Sequence, residues 1–172
     1  MSVNLKAVVI TVSDRCARGE AVDESGPTLK RLLEEMGAEI VAAVIVADDL
    51  EPLADKLRAY ADDPRVNLVI TTGGTGFSPR DNTPEATRAV IQRDAPGLSE
   101  AMRMETLRQT PMAMVSRGVC GLRGRALIIN LPGSPKGVRE SFAVIKPVLA
   151  HAVSLLAGQA HADAAATNEG SA

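Results

Sequence analysis

Three nearly continuous apolar segments constrain the fold of this chain more than any other feature. Residues 6–12, 39–46 and 66–71 are rich in Val, Ile and Ala, with no sustained alternation between apolar and polar positions. A strand that is apolar on both faces is typical of a parallel sheet covered by helices on both sides. Because parallel neighbours are joined by crossover connections, the stretches between these segments are predicted to be helices.

Those intervening stretches carry helical spacing. Leucines recur on one face over 29–36 and again over 50–57, and Gly37 suits a helix C-terminus. A further helix is predicted over 97–109 and a further strand over 126–131. We therefore predict an α/β fold: a three-layer sandwich in which helices flank a mostly parallel sheet, similar to Rossmann-like proteins.

Two of the predicted helices have recognisable start signals. Thr83 is the predicted N-cap of a helix whose first residue is Pro84, and Ser134 is the predicted N-cap of the last helix, which begins at Pro135. A hydroxyl before the helix and a proline at its first position both favour a start at these points.

Length and composition indicate one domain and argue against two kinds of partner. The domain is predicted to span residues 1–158, followed by a disordered Ala-rich tail over 159–172. A net charge of -2, 2% aromatic residues and the lack of a basic block argue against nucleic acid. The chain has no apolar run long enough for a bilayer and no signal-peptide pattern, so a cytoplasmic location is predicted, with Cys16 and Cys120 as free thiols.

Polar or glycine-rich residues follow every predicted strand. Ser13 and Asp14 follow the first strand, Asp48 follows the second, a glycine loop follows the third, and the segment 130–134 ends the last. Ligands of open parallel sheets bind beyond the carboxyl ends of the strands. These residues are therefore predicted to share one pocket.

The glycine-rich run at 71–86 is the strongest local indication of phosphate chemistry. Gly73, Gly74 and Gly76 let backbone N–H groups approach an anion because no Cβ stands in the way, and Asp81 offers a carboxylate for a divalent cation. The run lacks the Lys-Ser/Thr of a P-loop and the spacing of the dinucleotide fingerprint. On the residues alone, a tight strand-to-helix turn explains it equally well.

The aspartates have structural explanations that the residues alone leave open. Asp48 and Asp49 could cap the following helix, since Asp is among the best N-cap residues. Asp81 could serve in a turn, or it could pair with Arg80 at the surface.

Taken in order, the motifs resemble a known family. They are TVSD at 11–14, SGP at 25–27, TGGTG at 72–76, PRDNTPEA at 79–86, SR at 116–117 and INLPGSP at 129–135. The set is similar to the molybdopterin adenylyltransferases, bacterial relatives of the gephyrin G domain, over about residues 4–158. Ala47 departs from the family, in which a proline often stands before the aspartate.

The resemblance implies that AMP is transferred from ATP to the terminal phosphate of molybdopterin, with release of pyrophosphate, in molybdenum cofactor biosynthesis. The two essential aspartates of the family match Asp48 and Asp81, and Mg²⁺ assists the reaction. We expect these two catalytic carboxylates to hold Mg²⁺, and Ser13 and Asp14 are candidates for binding pterin or its phosphate. The nucleotide and its phosphates are assigned to the glycine loop and two later segments: Gly73, Gly74, Thr75, Gly76, Ser116, Asn130, Pro132, Gly133 and Ser134.

The resemblance also implies a homo-oligomer, a trimer in many members, and an interaction with the molybdenum insertase of the same pathway. Three other functions stay open at this point: a weakly active paralogue, a scaffold module, and a nucleotide pyrophosphatase that needs no pterin.

Overall fold

The computed structural model describes residues 4–158, so the predicted tail over 159–172 lies outside the described residues. One six-stranded sheet runs through the domain. Its strands are β1 Lys6–Val12, β2 Glu39–Val46, β3 Leu68–Thr72, β4 Arg93–Asp94, β5 Cys120–Arg123 and β6 Ala126–Leu131. The helices are α1 Asp14–Ala17, α2 Ser25–Glu35, α3 Leu50–Ala61, α4 Thr83–Arg88, α5 Pro96–Leu107 and α6 Pro135–Leu156, with a 3-10 helix at Pro111–Val115.

The sheet confirms the predicted three-layer α/β fold. Its order is β2-β1-β3-β6-β5-β4, and the first four strands are parallel. β5 pairs antiparallel with β6, and β4 pairs antiparallel with β5, so the sheet has an antiparallel edge.

Alternate residues of the central strands enter two separate cores. In β1, Ala7 and Val9 pack with α2 and α6 on one face, whereas Val8, Ile10 and Val12 pack with α3 and α4 on the other. Each fully buried large aliphatic side chain contributes about 2 kcal/mol of transfer free energy. The burial of both faces explains why these strands are mostly apolar; their buried polar residues stand toward the carboxyl ends, at Thr11, Thr71, Thr72 and Asn130.

Several predicted boundaries need correction. β3 begins at Leu68 rather than at residue 66, and the short strands β4 and β5 were not predicted. Thr83 is the first residue of α4, and Asn82 occupies the N-cap position. Ser134 is the N-cap of α6 as predicted, since its hydroxyl accepts a hydrogen bond from the N–H of Gly137.

The strand register brings the predicted site residues to one level. Val12 lies opposite Val46, Thr11 lies opposite Thr72, and Thr72 lies opposite Leu131. The carboxyl ends of β1, β2, β3 and β6 therefore form one edge of the sheet, and the loops that follow them meet there.

Candidate active site

The glycine loop after β3 requires glycine for both conformation and space. Gly73 and Gly74 have φ values of +100° and +63°, which disfavour other residues. A Cβ on Gly73 would lie 2.3 Å from the Val12 carbonyl oxygen. A Cβ on Gly74 would lie 2.4 Å from Thr83 Oγ1 and 2.8 Å from Asp48 Oδ1. The loop therefore passes directly against the neighbouring strand end and the Asp48 carboxylate.

Asp81 closes the far end of this loop. Its N–H donates to the Ser78 carbonyl at 2.9 Å, and its Oδ2 accepts from the Ser78 N–H at 3.0 Å. A Cβ on Gly76 would lie 2.9 Å from the same Oδ2. The absence of a side chain at Gly76 thus leaves room for the Asp81 carboxylate beside the loop backbone.

Asp48 is a buried carboxylate held by a reciprocal contact with Asp14. The Asp14 N–H donates to Asp48 Oδ2 at 2.8 Å, and the Asp48 N–H donates to Asp14 Oδ1 at 3.0 Å. Burial is the main cause that raises the pKa of Asp48; the Asp14 N–H opposes this shift, and the charges of Asp14 and Asp81 add to it. The carboxylates of Asp48 and Asp81 are therefore close enough for their charges to interact, and such a pair suits a shared cation.

Arg80 fixes the outer side of this cluster. Its guanidinium donates to both carboxylate oxygens of Asp14 at 2.9 Å and to Asp49 at 3.0 Å. The Arg80 contact is the main reason that the pKa of Asp14 is lowered. Arg80 therefore pairs with Asp14 and Asp49, and not with the adjacent Asp81. Asp49 is the N-cap of α3, but its side chain makes no capping hydrogen bond.

A cleft of about 350 Å³, here called the aspartate cleft, opens at this edge of the sheet. Its lining includes Asp48, Asp81, Gly73, Gly74, Gly133 and Ser13. These predicted site residues are thus brought together. Asp14 is not part of the lining, because its carboxylate points to Arg80 and the Asp48 N–H.

A second cleft of about 290 Å³, here called the Ser116 cleft, lies between α5, the 3-10 helix and the start of α6. Its lining includes Ser116, Asn130, Pro132 and Ser134, with further hydroxyl groups and two cationic residues. Those further residues are Ser99, Thr106, Thr110, Ser141, Arg103 and Lys136. The residues predicted to form one nucleotide pocket are therefore divided between two clefts, and Thr75 and Gly76 line neither of them.

The two clefts adjoin at the segment 132–134: Gly133 lines the aspartate cleft, and its neighbours Pro132 and Ser134 line the Ser116 cleft. A Cβ on Gly133 would lie 3.1 Å from the Cα of Gly73, so the two loops touch without intervening side chains. The Thr72 hydroxyl holds them together by donating to the Pro132 carbonyl at 2.7 Å. We call this contact the glycine ridge. Residues that are adjacent in the sequence at 132–134 therefore contribute to both clefts.

Sequence reasoning missed Asp23, which also lines the aspartate cleft. The Thr11 hydroxyl donates to Asp23 Oδ2 at 2.6 Å, and the Gly26 N–H donates to Asp23 Oδ1 at 2.9 Å. A Cβ on Gly26 would lie 2.3 Å from both Asp23 Oδ2 and Thr11 Oγ1. The SGP motif at 25–27 was the available signal, since its glycine permits this contact.

Arg117 was also missed, although its motif had been noted. Its guanidinium donates to the Gly76 carbonyl at 2.7 Å, to the Asp81 carbonyl at 2.6 Å and to the Glu85 carboxylate. Its own N–H donates to the Thr75 carbonyl at 2.9 Å. Only the fold shows these contacts, because Arg117 is more than thirty positions from each of its partners in the sequence.

The aspartate cleft fits a divalent cation that is shared with a substrate. Within residues 4–158, no group of three or more His, Cys, Asp or Glu side chains is arranged to hold a metal. Mg²⁺ commonly takes one or two carboxylates, with phosphate oxygens and water completing its shell. Asp48 and Asp81 supply such oxygen ligands, and a cation between them would relieve the crowding of negative charge.

Comparison with known proteins identifies the family. A family model described as "Probable molybdopterin binding domain" matches residues 8–151. The chain belongs to this family. The match to this molybdopterin-binding domain family spans both clefts and the glycine ridge.

Individual relatives agree with this family over most of the chain. The molybdopterin adenylyltransferase of Helicobacter pylori strain J99 is 40% identical over 152 residues, which cover 87% of this chain and 86% of the relative. The crystal structure of the molybdopterin biosynthesis enzyme MoaB from Thermus thermophilus is 48% identical, with a TM-score of 0.84, and covers 90% of this chain and 97% of that chain.

Some relatives are much longer proteins. The molybdenum cofactor synthesis protein cinnamon of Drosophila melanogaster is 44% identical over 86% of this chain, and gephyrin of Dictyostelium discoideum is 39% identical over 86%. The chain spans 25% and 22% of the length of these two relatives.

Proposed function

We propose that this protein is a molybdopterin adenylyltransferase of molybdenum cofactor biosynthesis. It transfers AMP from ATP to the terminal phosphate of molybdopterin and releases pyrophosphate. Relatives with this name match most of the chain at 36–40% identity. The observation that carries the proposal is that an acidic cleft and a hydroxyl-lined cleft adjoin at the glycine ridge, which suits the joining of two molecules through their phosphates.

ATP belongs in the aspartate cleft under this proposal. Its triphosphate carries a divalent cation, and Asp48 and Asp81 are the carboxylates that would hold Mg²⁺ beside the glycine loop. Gly73 and Gly74 line this cleft, and their close packing against Val12 and Asp48 places the loop backbone directly beside the Asp48 carboxylate. Asp14 then serves by orienting Asp48 through the reciprocal contact, since its own oxygens already accept from Arg80.

Molybdopterin belongs in the Ser116 cleft. A pterin presents several ring nitrogens and exocyclic groups, which suit a lining of serine and threonine hydroxyls. Arg103 adds positive charge to the same lining, whereas Lys136 pairs there with Glu140, which also lines the cleft. This proposal keeps the glycine loop with the nucleotide, as expected from the sequence. It differs from that expectation in giving Ser116 and most of the 130–134 segment to the pterin, and in placing Ser13 and Asp14 on the nucleotide side.

The reaction needs positioning and charge stabilisation more than a protein nucleophile. A terminal phosphate oxygen of molybdopterin attacks the α-phosphorus of ATP, and the bond from that phosphorus to the bridging oxygen breaks, so pyrophosphate leaves with the electron pair. Mg²⁺ would neutralise charge on the phosphates. Under this proposal the chain contributes mainly by holding the two reactants in adjoining clefts, so that the attacking oxygen and the α-phosphorus are aligned.

The proposal extends to assembly and location. The protein is proposed to be a cytoplasmic trimer. The trimer fits the exposed apolar side chains of Phe77, Met104, Met112 and Met114, which offer surface for self-association. In the described part of the chain, no helix has the length and apolar character that a membrane span requires. The related bifunctional protein of Synechococcus elongatus joins two activities of molybdenum cofactor biosynthesis in one chain. We propose that the product passes to a molybdenum insertase of the same pathway. Light scattering tests the trimer, and a monomer mass would reject it.

One incubation tests the enzymatic proposal. The protein is mixed with ATP, Mg²⁺ and molybdopterin, and adenylylated pterin and pyrophosphate are quantified by chromatography. We expect both products in equal amounts, and only when pterin and Mg²⁺ are present. ATP consumption at the same rate without pterin would instead identify a pyrophosphatase.

Variants of the carboxylates test the site. Asp81→Asn and Asp48→Asn remove negative charge with little change in shape, and each is expected to lower kcat by about 100-fold or more while leaving the fold intact. Asp62→Asn is the matched control, because Asp62 is an exposed carboxylate paired with Arg123 outside both clefts. Wild-type turnover in the Asp81→Asn variant would remove the metal role from Asp81.

A further inference from the structure

We infer that Arg117 is a positioning residue that holds the loop carrying Asp81 in its metal-binding place. The inference rests on the proposed function only through the role of Asp81. Arg117 does not line the aspartate cleft, so it acts on the reaction through the loop and not by touching ATP in that cleft.

The guanidinium ties both ends of the loop to one point. Its Nε donates to the Gly76 carbonyl, and its Nη2 donates to the Asp81 carbonyl, five residues further on. The segment between them is exposed from Phe77 to Arg80 and has no packed apolar contact in the two cores. Its anchoring therefore depends on polar contacts: Arg117 on one side and the Arg80 pair with Asp14 on the other.

Glu85 keeps Arg117 in this orientation. Its carboxylate accepts from Arg117 Nη1, while its Oε2 is buried and has no hydrogen-bond partner among the described residues. The position of Glu85 in the first turn of α4 fixes where the guanidinium lies. If Arg117 is removed, a partly buried carboxylate loses its nearest positive charge, and two carbonyls lose their donor.

The contacts use the planar fork of arginine. Three different nitrogen atoms reach three different acceptors, on Gly76, Asp81 and Glu85. A lysine carries its donors on a single nitrogen and cannot reach all three acceptors at once. Arg117→Lys therefore separates the contribution of charge from that of geometry.

Arg117 also stands directly after Ser116, which lines the other cleft. The Arg117 N–H donates to the Thr75 carbonyl, and this hydrogen bond joins the segment that carries Ser116 to the glycine loop. If this segment moves, the Arg117 side chain moves with it, and so does the backbone of Asp81, to which that side chain is hydrogen-bonded.

The test compares Arg117→Met with Arg123→Met. Arg123 is a matched control, because its fork donates to both Asp62 oxygens and to the Val90 carbonyl, outside both clefts. Hydrogen exchange of the amides over 76–82 is measured by mass spectrometry without substrate or metal. We expect exchange at least about 10-fold faster in Arg117→Met, an intermediate increase in Arg117→Lys and no change in Arg123→Met.

Two further readouts distinguish positioning from loss of the fold. Calorimetric binding of the α,β-methylene analogue of ATP should need about 10-fold more Mg²⁺ for half-saturation in Arg117→Met, and kcat should fall by about 100-fold. Both should stay within about twofold of wild type in Arg123→Met. If Arg117→Met does not fold, Arg117→Lys and Glu85→Gln carry the same measurements, with smaller shifts in the same direction.

Unchanged exchange over 76–82 in every folded Arg117 variant would overturn the inference, as would equal effects of Arg117→Met and Arg123→Met on the Mg²⁺ requirement. A wild-type protein without adenylyl transfer would defeat the proposed function instead, and the exchange measurement would still decide whether Arg117 holds the loop.

Discussion

A single methyl group added at Gly74 should both weaken the fold and displace the Asp48 carboxylate. In Gly74→Ala, the left-handed backbone at φ +63° costs about 1 to 2 kcal/mol for a residue with a Cβ. The new Cβ also lies 2.4 Å from Thr83 Oγ1, which donates a buried hydrogen bond to the Gly73 carbonyl. Loss of that bond adds about 1 to 3 kcal/mol, for a total of about 2 to 5 kcal/mol.

Gly124→Ala isolates the effect of contact from that of conformation. Gly124 has a similar φ of +53°, but nothing lies within 4 Å of a Cβ there. Its substitution should cost only the conformational part, about 1 to 2 kcal/mol. Urea unfolding of the two variants and wild type gives the free energies, and the m-values check that the unfolded states are comparable.

The functional consequence separates the two variants further. The Cβ of Gly74→Ala would lie 2.8 Å from Asp48 Oδ1, so the carboxylate must move, and adenylyl transfer should fall by about 100-fold. Gly124→Ala should keep wild-type turnover. Equal destabilisation of the two variants, or full activity of folded Gly74→Ala, would refute the argument that this glycine makes room for Asp48.

Three other predictions follow from single side chains. The pKa of Asp48 is raised in the folded protein, so its contribution to stability is fully present below the ordinary carboxyl pKa of 3.8 and is lost as the pH rises through the raised pKa. In metal-free buffer, the unfolding free energy of Asp48→Asn should therefore increase relative to wild type as the pH rises above 3.8. Asn130→Ala should lose about 3 kcal/mol in urea unfolding, since the buried Asn130 amide bonds two threonine hydroxyls and the Val119 N–H. With a thiol reagent, Cys16 should react in the native protein and Cys120 only after unfolding, because burial raises the pKa of Cys120 to about 12; two fast thiols would contradict this.

The part of the fold that sequence could predict is the part set by burial on both faces. The bounds of β1 and β6 matched their apolar segments because nearly all of their residues are buried. The bounds of β2 also matched, but the prediction that β2 is buried was wrong, because β2 is an edge strand whose residues are exposed or half-exposed. The strands β4 and β5 have two and four residues, and their pairing depends on partners far along the chain. Such long-range pairing leaves no local period to detect.

Sequence indicated many of the residues that line the two clefts, but it missed Asp23, and it did not indicate that the residues are divided between two clefts. Polar strand ends and glycines indicated which segments meet, since parallel strands place their carboxyl ends together. The separation into two clefts arises from the contact of Gly73 with Gly133, which are sixty positions apart. The roles of Asp14 and Arg117 were hidden for the same reason, because each is defined by partners that only the folded chain brings near.

The glycine ridge has a consequence for how such a protein tells its substrates apart. The two glycines of the ridge, Gly73 and Gly133, have no side chains, so the ridge has no group of its own that could select substrates by size or charge. Discrimination must then lie in the outer walls, with Val22 and Asp23 on one side and Met112 and Lys136 on the other. These lining residues can be substituted without changing the glycine ridge, so the specificity for one substrate can change while the specificity for the other stays the same.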